Sequence, residues 1–343
     1  MNARQAYELL ARTPGISALK VARWLRDEPH QSVELLAQIK GHPVGTPSEE
    51  PYLTPACSGY PQLLKELGDP PLRLFYRGLP LSRISPHRVA VVGSRQASCY
   101  GKEWARRLGS ELARQGITVC SGLAAGIDAA AHEGALKAGI SDDGAGVPVA
   151  VLGHGFNHVY PESNRQLRRL LEERGTVLSE YPADQPPARW TFPERNRIIA
   201  GLCQTVVIVE AGAKSGSLHT ARFANEAGRD VWVVPNRPGT YNSAGVLELL
   251  KDGARPMMGI DQFVSEVVEE LRLTHPVKPS SVPPHLVTLL HALAEGYAVA
   301  PTALCRRLGW APPKVSASLS ELELLGLVAR GRGGEWELVY SGT

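Results

Sequence analysis

The 343-residue sequence has few features of secreted, membrane or metal-binding proteins. Its five cysteines are odd in number and scattered without a Cys-x-x-Cys pair, which disfavours structural disulfides and thiolate zinc sites and fits a reducing compartment. The first residues lack the apolar core of a signal peptide, and no apolar run approaches the length of a membrane span. These absences predict a soluble, cytoplasmic protein without a membrane span.

Two common nucleotide-binding signatures are also missing. The segment Gly212-Ala-Lys-Ser215 contains a Lys-Ser pair but lacks the G-x-x-x-x-G-K-[ST] pattern of a P-loop ATPase. A G-x-G begins at Gly153, but His158 occupies the position where a dinucleotide fingerprint has its third glycine. His154 and His158 lie in a glycine-containing turn, which favours hydrogen-bonded or surface histidines over metal ligands. We therefore predict no cofactor and no metal.

The composition is that of a globular protein, with 43% apolar and 21% charged residues. From residue 88 onward, short β-branched strands alternate with amphipathic helices, which predicts an α/β doubly wound, mostly parallel sheet with helices on both faces. We expect a helical module at residues 1–47, the α/β domain at 48–273, a proline-rich linker at 274–284 and a winged helix at 285–343.

Both terminal modules suggest nucleic-acid binding without establishing it. The segment Thr13-Pro-Gly-Ile-Ser-Ala-Leu-Lys-Val-Ala22 resembles a helix-hairpin-helix turn, and the alternative is a small helical bundle without DNA affinity. The expected third helix of the C-terminal module, residues 312–325, has only Lys314 as a cation beside Glu321 and Glu323. Its apolar positions, Val315, Leu319, Leu322 and Leu325, predict a packing face, so we expect the main DNA site to lie elsewhere.

The net charge is only +3, so an anion site requires a local cluster of cations. Small and cationic residues follow several predicted strands, on the edge where doubly wound sheets bind ligands. The predicted pocket consists of Gly93, Ser94, Arg95, Ser121, Gly122, Gly126, Arg195, Asn196, Arg197, Ser215, Gly216 and Ser217. Arginines offer planar forks to phosphate oxygens, and glycines permit close approach. Few aromatic residues lie among these motifs, which favours electrostatic tracking of a nucleic-acid backbone over base stacking.

Four further residues are predicted to support the pocket: Asp128, Glu194, Glu210 and Thr220. Asp128 is interpreted either as a helix cap or as the residue that orients Arg95. Glu194 and Glu210 are interpreted as ion-pair partners that fix the arginines. We predict no catalytic residue.

The motifs together resemble one known family closely, the DprA/Smf DNA-processing proteins of bacterial natural transformation. In the family's order they are Val92-Gly-Ser-Arg95, Ser121-Gly-Leu-Ala-Ala-Gly-Ile-Asp-Ala-Ala-Ala-His132, Tyr160-Pro-Glu-Ser-Asn164, Ser179-Glu-Tyr-Pro182, Phe192-Pro-Glu-Arg-Asn-Arg-Ile-Ile-Ala-Gly201, Glu210-Ala211, Ser215-Gly-Ser-Leu-His-Thr-Ala221 and Gly228-Arg-Asp-Val-Trp-Val-Val-Pro235. They extend over residues 51–254. One departure is Leu247, where the family usually has asparagine.

The resemblance implies an extended Rossmann-like domain that binds single-stranded DNA, forms a homodimer and loads RecA onto DNA. Other single-stranded-DNA-binding or competence proteins are further possible partners. An enzymatic alternative comes from the LOG-type phosphoribohydrolases, which share a Gly-Ser-Arg-like first turn. The stretch from Glu210 to Leu218 lacks their Pro-Gly-Gly-x-Gly-Thr-x-x-Glu loop. A winged-helix transcription regulator is the third reading, and it would require a more basic recognition helix.

Overall fold

The computed structural model describes residues 2–13, 16, 18–27, 32–40, 50–138, 146–274, 284–294, 299–324, 328–330 and 335–338. The chain divides into two compact units, Met1–Val264 and Ser265–Thr343. Among the described residues, no helix has both the length and the apolarity needed to cross a bilayer.

The first unit is built on one nine-stranded sheet. Its strands are β1 (Tyr52–Leu53), β2 (Leu74–Gly78), β3 (Arg88–Val92), β4 (Thr118–Ser121), β5 (Val149–Leu152), β6 (Thr176–Ser179), β7 (Thr205–Ile208), β8 (Asp230–Val233) and β9 (Arg255–Pro256). The spatial order is β1-β2-β6-β5-β4-β3-β7-β8-β9. The pairings from β6 through to β9 are parallel, and β2 is antiparallel to both β1 and β6. The predicted doubly wound sheet is confirmed, and the antiparallel extension is an addition.

Helices cover this sheet and bury its central strands. They are α4 (Gln62–Lys65), α5 (Cys99–Arg114), α6 (Ile127–Lys137), α7 (Arg165–Arg174), α8 (Thr191–Leu202), α9 (Ser217–Glu226) and α10 (Ala244–Lys251), with 3₁₀ turns at Leu81–Arg83 and Glu162–Asn164. A further helix, α11 (Ile260–Thr274), begins in the first unit, and its Phe263 packs on Trp232 of β8. All four residues of β4, β5, β6 and β7 are buried, as expected for strands covered on both faces. The sheet is therefore a rigid frame for the loops at its edges.

The chain order creates one switch point in the sheet. From β3 the chain proceeds through β4, β5 and β6 on one side, and β7 then returns to the other side of β3. Loops leaving β3 and β7 consequently separate in opposite directions and leave a crevice at their carboxyl ends. The candidate site lies at this position.

Three short helices precede the sheet: α1 (Ala3–Ala11), α2 (Ala18–Asp27) and α3 (Val33–Lys40). Leu10, Val21 and Leu36 form a buried cluster that also contains Leu72, from the segment before β2. The central residues of the predicted hairpin turn, 14 and 15, lie outside the described residues, so its DNA affinity stays a prediction.

The second unit has the predicted winged-helix order. Helices α12 (Pro284–Ala294), α13 (Pro301–Leu308) and α14 (Pro312–Leu324) precede the antiparallel strands β10 (Val328–Arg330) and β11 (Trp336–Leu338). Val315, Leu319 and Leu322 of α14 are buried in the core of this unit, which confirms their predicted packing role. Leu325, predicted for the same face, lies outside the described residues.

Candidate nucleic-acid interface

A cleft of about 910 Å³ opens at the carboxyl ends of β3 and β7. The residues that line it come from the loops after β3, β4, β5, β6 and β7, the starts of α6, α8 and α9, and the turn before α10. They include Gly93, Ser94, Arg95, Gln96, Asp128, Tyr160, Arg189, Phe192, Arg195, Asn196, Lys214, Ser215, Gly216, Ser217, Thr220, Tyr241 and Asn242. The structure thus brings most of the predicted pocket together.

The turn after β3 presents Arg95 to the cleft mouth. A Cβ atom at Gly93 would lie 2.7 Å from Ile127 Cγ1, so only glycine fits there. Ser94 N donates to Glu210 O at 2.8 Å, which ties the turn to the neighbouring strand end. Arg95 is exposed, its guanidinium lies 5.0 Å from the centre of the Phe192 ring, and it makes no ion pair among the described residues. Arg95 is therefore available to an anionic ligand.

The loop after β4 is a packing element beneath the cleft. Asp128 Oδ2 accepts hydrogen bonds from Gly122 N at 3.1 Å and Ala124 N at 3.4 Å. A Cβ at Gly122 would lie 2.5 Å from Arg195 Nη2 and 2.7 Å from Asp128 Oδ2. Asp128 thus holds this loop beside Arg195, and orienting Arg95 is not its main role. In the same loop, Ser121 Oγ donates to Val91 O at 2.7 Å, and Gly126, at φ +85°, begins α6.

Arg195 lies under the cleft and is only 3% exposed. It donates to Gly122 O at 2.8 Å and to Val151 O. Burial lowers the pKa of Arg195 to about 10, and the nearby Asp128 acts in the opposite direction. Arg195 therefore stays protonated at neutral pH, but its guanidinium is committed to protein carbonyls. It contributes positive charge to the floor of the cleft.

The prediction that Arg197 lies in the pocket is wrong. Its guanidinium contacts both carboxylate oxygens of Glu180, at 2.7 and 2.6 Å, and Asp69 Oδ2 at 3.2 Å. Residues two apart on a helix point to different sides, so Arg195 and Arg197 cannot both face the cleft. Arg197 joins α8 to the end of β6 and to the segment before β2.

The predicted ion pairs of the two glutamates are also wrong. Glu210 Oε2 accepts from Ser98 N at 2.9 Å and Asn242 Nδ2 at 3.0 Å, and Oε1 accepts from Ser98 Oγ. Glu194 accepts from the Tyr181 hydroxyl at 3.2 Å. Glu210 lies at the start of α5, where free backbone N–H groups attract a carboxylate, and this position draws it away from the arginines.

The start of α9 forms the remaining side of the cleft. Ser215 and Ser217 exchange a hydroxyl hydrogen bond at 2.8 Å, and Asn196 Nδ2 donates to Gly216 O at 3.1 Å. A Cβ at Gly216 would meet nothing within 4 Å, so this residue faces open space. Thr220, also on this helix, lines the cleft. The first N–H groups of α9 bond to Ser215 and Gly216, so the amino terminus of this helix contributes mainly a positive partial charge to the cleft.

Sequence reasoning missed two cations and several aromatic rings of the cleft. Arg189 and Lys214 line it, are exposed, and make no ion pair among the described residues. Tyr160, Phe192 and Tyr241 also line it, so the expectation of few aromatics is wrong. Phe192 and Tyr160 belong to two separate family motifs in the sequence. The fold brings their rings into contact, with centroids 5.2 Å apart.

The charge balance of the cleft favours an anion. Its lining contains three arginines and one lysine, and Asp128 is the one carboxylate among the lining residues. That carboxylate is buried and bonded to backbone N–H groups. Burial also raises its pKa, against the influence of Arg195. The fold and the cleft define a Rossmann-type protein with a cationic cleft and a C-terminal winged helix.

Comparisons with known proteins specify this class further. Residues 52–268 match the family model of DNA recombination-mediator protein A, and residues 275–334 match that of the DprA winged helix domain. The chain therefore belongs to the DprA/Smf family of DNA-processing proteins.

Relatives and solved structures agree with this assignment. Protein Smf of Escherichia coli is 39% identical, over 82% of this chain and 76% of the relative, and Protein Smf of Synechocystis is 36% identical over 82% and 78%. The solved DprA of Streptococcus pneumoniae superposes with a TM-score of 0.65 at 32% identity, covering 78% of this chain and 98% of that one. DNA processing protein A of Helicobacter pylori gives 0.58 at 29% identity, covering 65% and 97%.

Proposed function

We propose that the cleft binds the backbone and bases of single-stranded DNA without sequence preference and carries out no reaction. In this proposal the protein protects incoming single strands and loads RecA onto them during natural transformation. The observation that carries it is the group of exposed cations at the cleft, Arg95, Arg189 and Lys214, which make no ion pair with any residue that the structure describes.

The chemistry of the cleft suits a nucleic-acid strand better than a small anion. The cations offer contacts to phosphates, and the α9 amino terminus attracts them; such contacts carry no sequence information. Arg95, Phe192 and Tyr160 form a continuous series, with the Phe192 ring 5.0 Å from the guanidinium and 5.2 Å from the tyrosine ring. Ring faces accept any base, so both kinds of contact support binding without sequence preference.

A single strand fits these contacts better than a duplex. The bases of a duplex are stacked on one another, which leaves no free face for Phe192 or Tyr160. The H. pylori relative is described as having a single-stranded DNA binding mode, and that supports the same ligand for this chain.

Membership of the family supports the proposed RecA loading and dimerisation. A homodimer would offer two clefts to one strand and raise its affinity through effective concentration. Light scattering should report twice the chain mass of 37.0 kDa at micromolar concentration. Loading predicts that the protein shortens the lag in RecA ATP hydrolysis on DNA already coated with single-strand-binding protein. A monomer would contradict the proposed dimer, and an unchanged lag would contradict the proposed RecA loading.

The test of DNA binding is fluorescence anisotropy with a labelled single strand of mixed sequence. Arg95→Ala should weaken binding about tenfold, because one charge-assisted contact is lost. The matched control is Arg169→Ala, since Arg169 is an exposed arginine on α7 paired with Glu173 away from the cleft. The control should remain within about twofold of wild type. Equal loss in both variants would show a general charge effect and contradict the cleft as the site.

The hydrolase alternative has its own test. Glu210 is 3% exposed and bonded to Ser98 and Asn242, so its position supports a structural role. Purified protein incubated with nucleoside monophosphates should release no free base. Release that disappears in Glu210→Gln would favour the enzyme.

A further inference from the structure

We propose that Tyr241 is a second base-stacking platform, separate from the Phe192–Tyr160 pair; this inference rests on the proposed binding of single-stranded DNA. Phe192 packs on Gly153 at the end of β5, where a Cβ would lie 2.8 Å from its ring. Tyr241 lies near the end of β7, because its carbonyl oxygen is 3.2 Å from the point that a Cβ atom would occupy at Gly212. The ends of β5 and β7 are three strand spacings apart, about 14 Å, so the two platforms contact different bases.

The Tyr241 side chain has no structural role of its own. It is 80% exposed, and its ring makes no hydrogen bond or ring contact among the described residues. Tyr241 nevertheless lines the cleft, and tyrosine is enriched at binding interfaces because its ring is apolar and its hydroxyl tolerates water.

The turn that carries this tyrosine is nevertheless held firmly in place. At one end, Asn236 Nδ2 donates to Val209 O at 2.8 Å. At the other end, Asn242 Nδ2 donates to Gln96 O at 2.9 Å and to Glu210 Oε2 at 3.0 Å. These bonds fix the backbone on both sides of the exposed ring. Little further ordering is needed when a base stacks on it, which favours binding.

The charges around the turn favour a nucleic-acid strand as the occupant. The turn, residues 235–243, contains no carboxylate and has Arg237 exposed and unpaired among the described residues. Lys214 lines the cleft together with Tyr241. A base on the ring would therefore have cations nearby for its phosphates, whereas a second protein copy would gain little apolar area from one ring.

The experiment uses full-length protein and single strands that carry 2-aminopurine at one position, moved along the strand in a series of oligonucleotides. Tyr241→Leu should weaken binding about tenfold and abolish the fluorescence quenching of one probe position. Tyr241→Phe should retain both properties, because it keeps the ring. The matched control is Tyr100→Leu, which removes a 51% exposed tyrosine on α5 outside the cleft lining. The slope of log affinity against log salt should not change in Tyr241→Leu, since no phosphate contact is lost.

The outcomes separate this inference from the function on which it rests. If wild type binds and Arg95→Ala weakens binding but Tyr241→Leu behaves as wild type, the stacking role is overturned and the proposed function stands. If wild type does not bind single strands, the proposed function itself fails. If Tyr241→Leu leaves DNA affinity unchanged but alters the mass in light scattering, the ring is a subunit contact and the inference is overturned. Thermal melting of each variant shows whether its fold is intact.

Discussion

The cleft of the α/β unit and helix α14 of the winged helix are two candidate DNA-binding elements with opposite chemistry. The cleft presents Arg95, Arg189 and Lys214 without ion-pair partners among the described residues. On α14 the one cation, Lys314, lies 4.1 Å from the centre of the Trp310 ring. A winged helix is widely used for DNA binding, but α14 has no cation besides Lys314, and the exposed Arg306 and Arg330 of this unit lie on α13 and β10. Function must therefore be argued from the side chains rather than from the fold.

The exposed side of α14 strengthens this contrast. Beyond Lys314 and the two prolines that begin the helix, its exposed residues are small and neutral or acidic: Ser316, Ala317, Ser320, Glu321 and Glu323. Such a face offers little to phosphates, which dominate DNA affinity. It is better suited to contact with protein than to entry into a groove.

The largest effect is expected from removing the three free cations of the cleft together. The triple variant Arg95→Ala, Arg189→Ala, Lys214→Ala should lose affinity for single strands on the order of 1000-fold, because three charge-assisted contacts disappear. The slope of log affinity against log salt should fall by about 2, at roughly 0.7 per phosphate. Anisotropy titrations at several salt concentrations measure both quantities. Retained affinity would move the site out of the cleft.

A glycine pair tests the packing under the cleft. Gly122→Ala places a methyl group 2.5 Å from Arg195 Nη2, whereas the same change at Gly216 meets nothing within 4 Å. We expect Gly122→Ala to lower the free energy of unfolding by about 1–3 kcal/mol and to weaken DNA binding. Gly216→Ala should keep stability within about 0.5 kcal/mol, so it is the control. Chemical denaturation with parallel binding titrations makes the comparison. Equal stability in both variants would contradict the packing described here.

Acid should lower the stability of the first unit through His132, which is fully buried on α6. Burial lowers its pKa to about 3, whereas an unfolded histidine titrates near 6.5. The unfolded chain therefore binds the extra proton first, and stability falls as pH drops below about 6.5. Between pH 6.5 and 4.5 this group should remove about 2 kcal/mol.

His132→Leu isolates this contribution. Neither ring nitrogen has a hydrogen-bond partner of good geometry, so an apolar replacement should fold. Its free energy of unfolding should depend less on pH than that of wild type. Parallel pH dependence in the two proteins would show that His132 is not buried in its neutral form.

The smallest effect is expected from the winged helix. Removing residues 284–343 should reduce single-strand affinity by less than tenfold, or about 1.4 kcal/mol. Lys314→Ala in the full chain should change it by less than about twofold, because one partly engaged cation is lost. A loss above tenfold in either protein would reverse the comparison between the two units.

The sequence predicted the sheet well because strand and helix periodicities are local. Directions of side chains were harder. Arg195 and Arg197 are two residues apart in one motif, yet one lies under the cleft and the other pairs with Glu180. Tyr241 lies in a turn 49 residues after Phe192 in the sequence, and the strand order brings both residues to the same cleft. Leu247 is half-buried in α10, and nothing in the structure explains its departure from the family pattern.

The most direct test of the central claim is a competition experiment with full-length protein bound to a labelled single strand. Unlabelled single strand and duplex of the same sequence are added at the same salt concentration, near 0.1 M. The single strand should displace the label at a concentration at least tenfold lower than the duplex, and protein lacking residues 284–343 should show the same preference. Equal competition by the duplex, or a preference that disappears when residues 284–343 are removed, would contradict a single-strand site in the cleft.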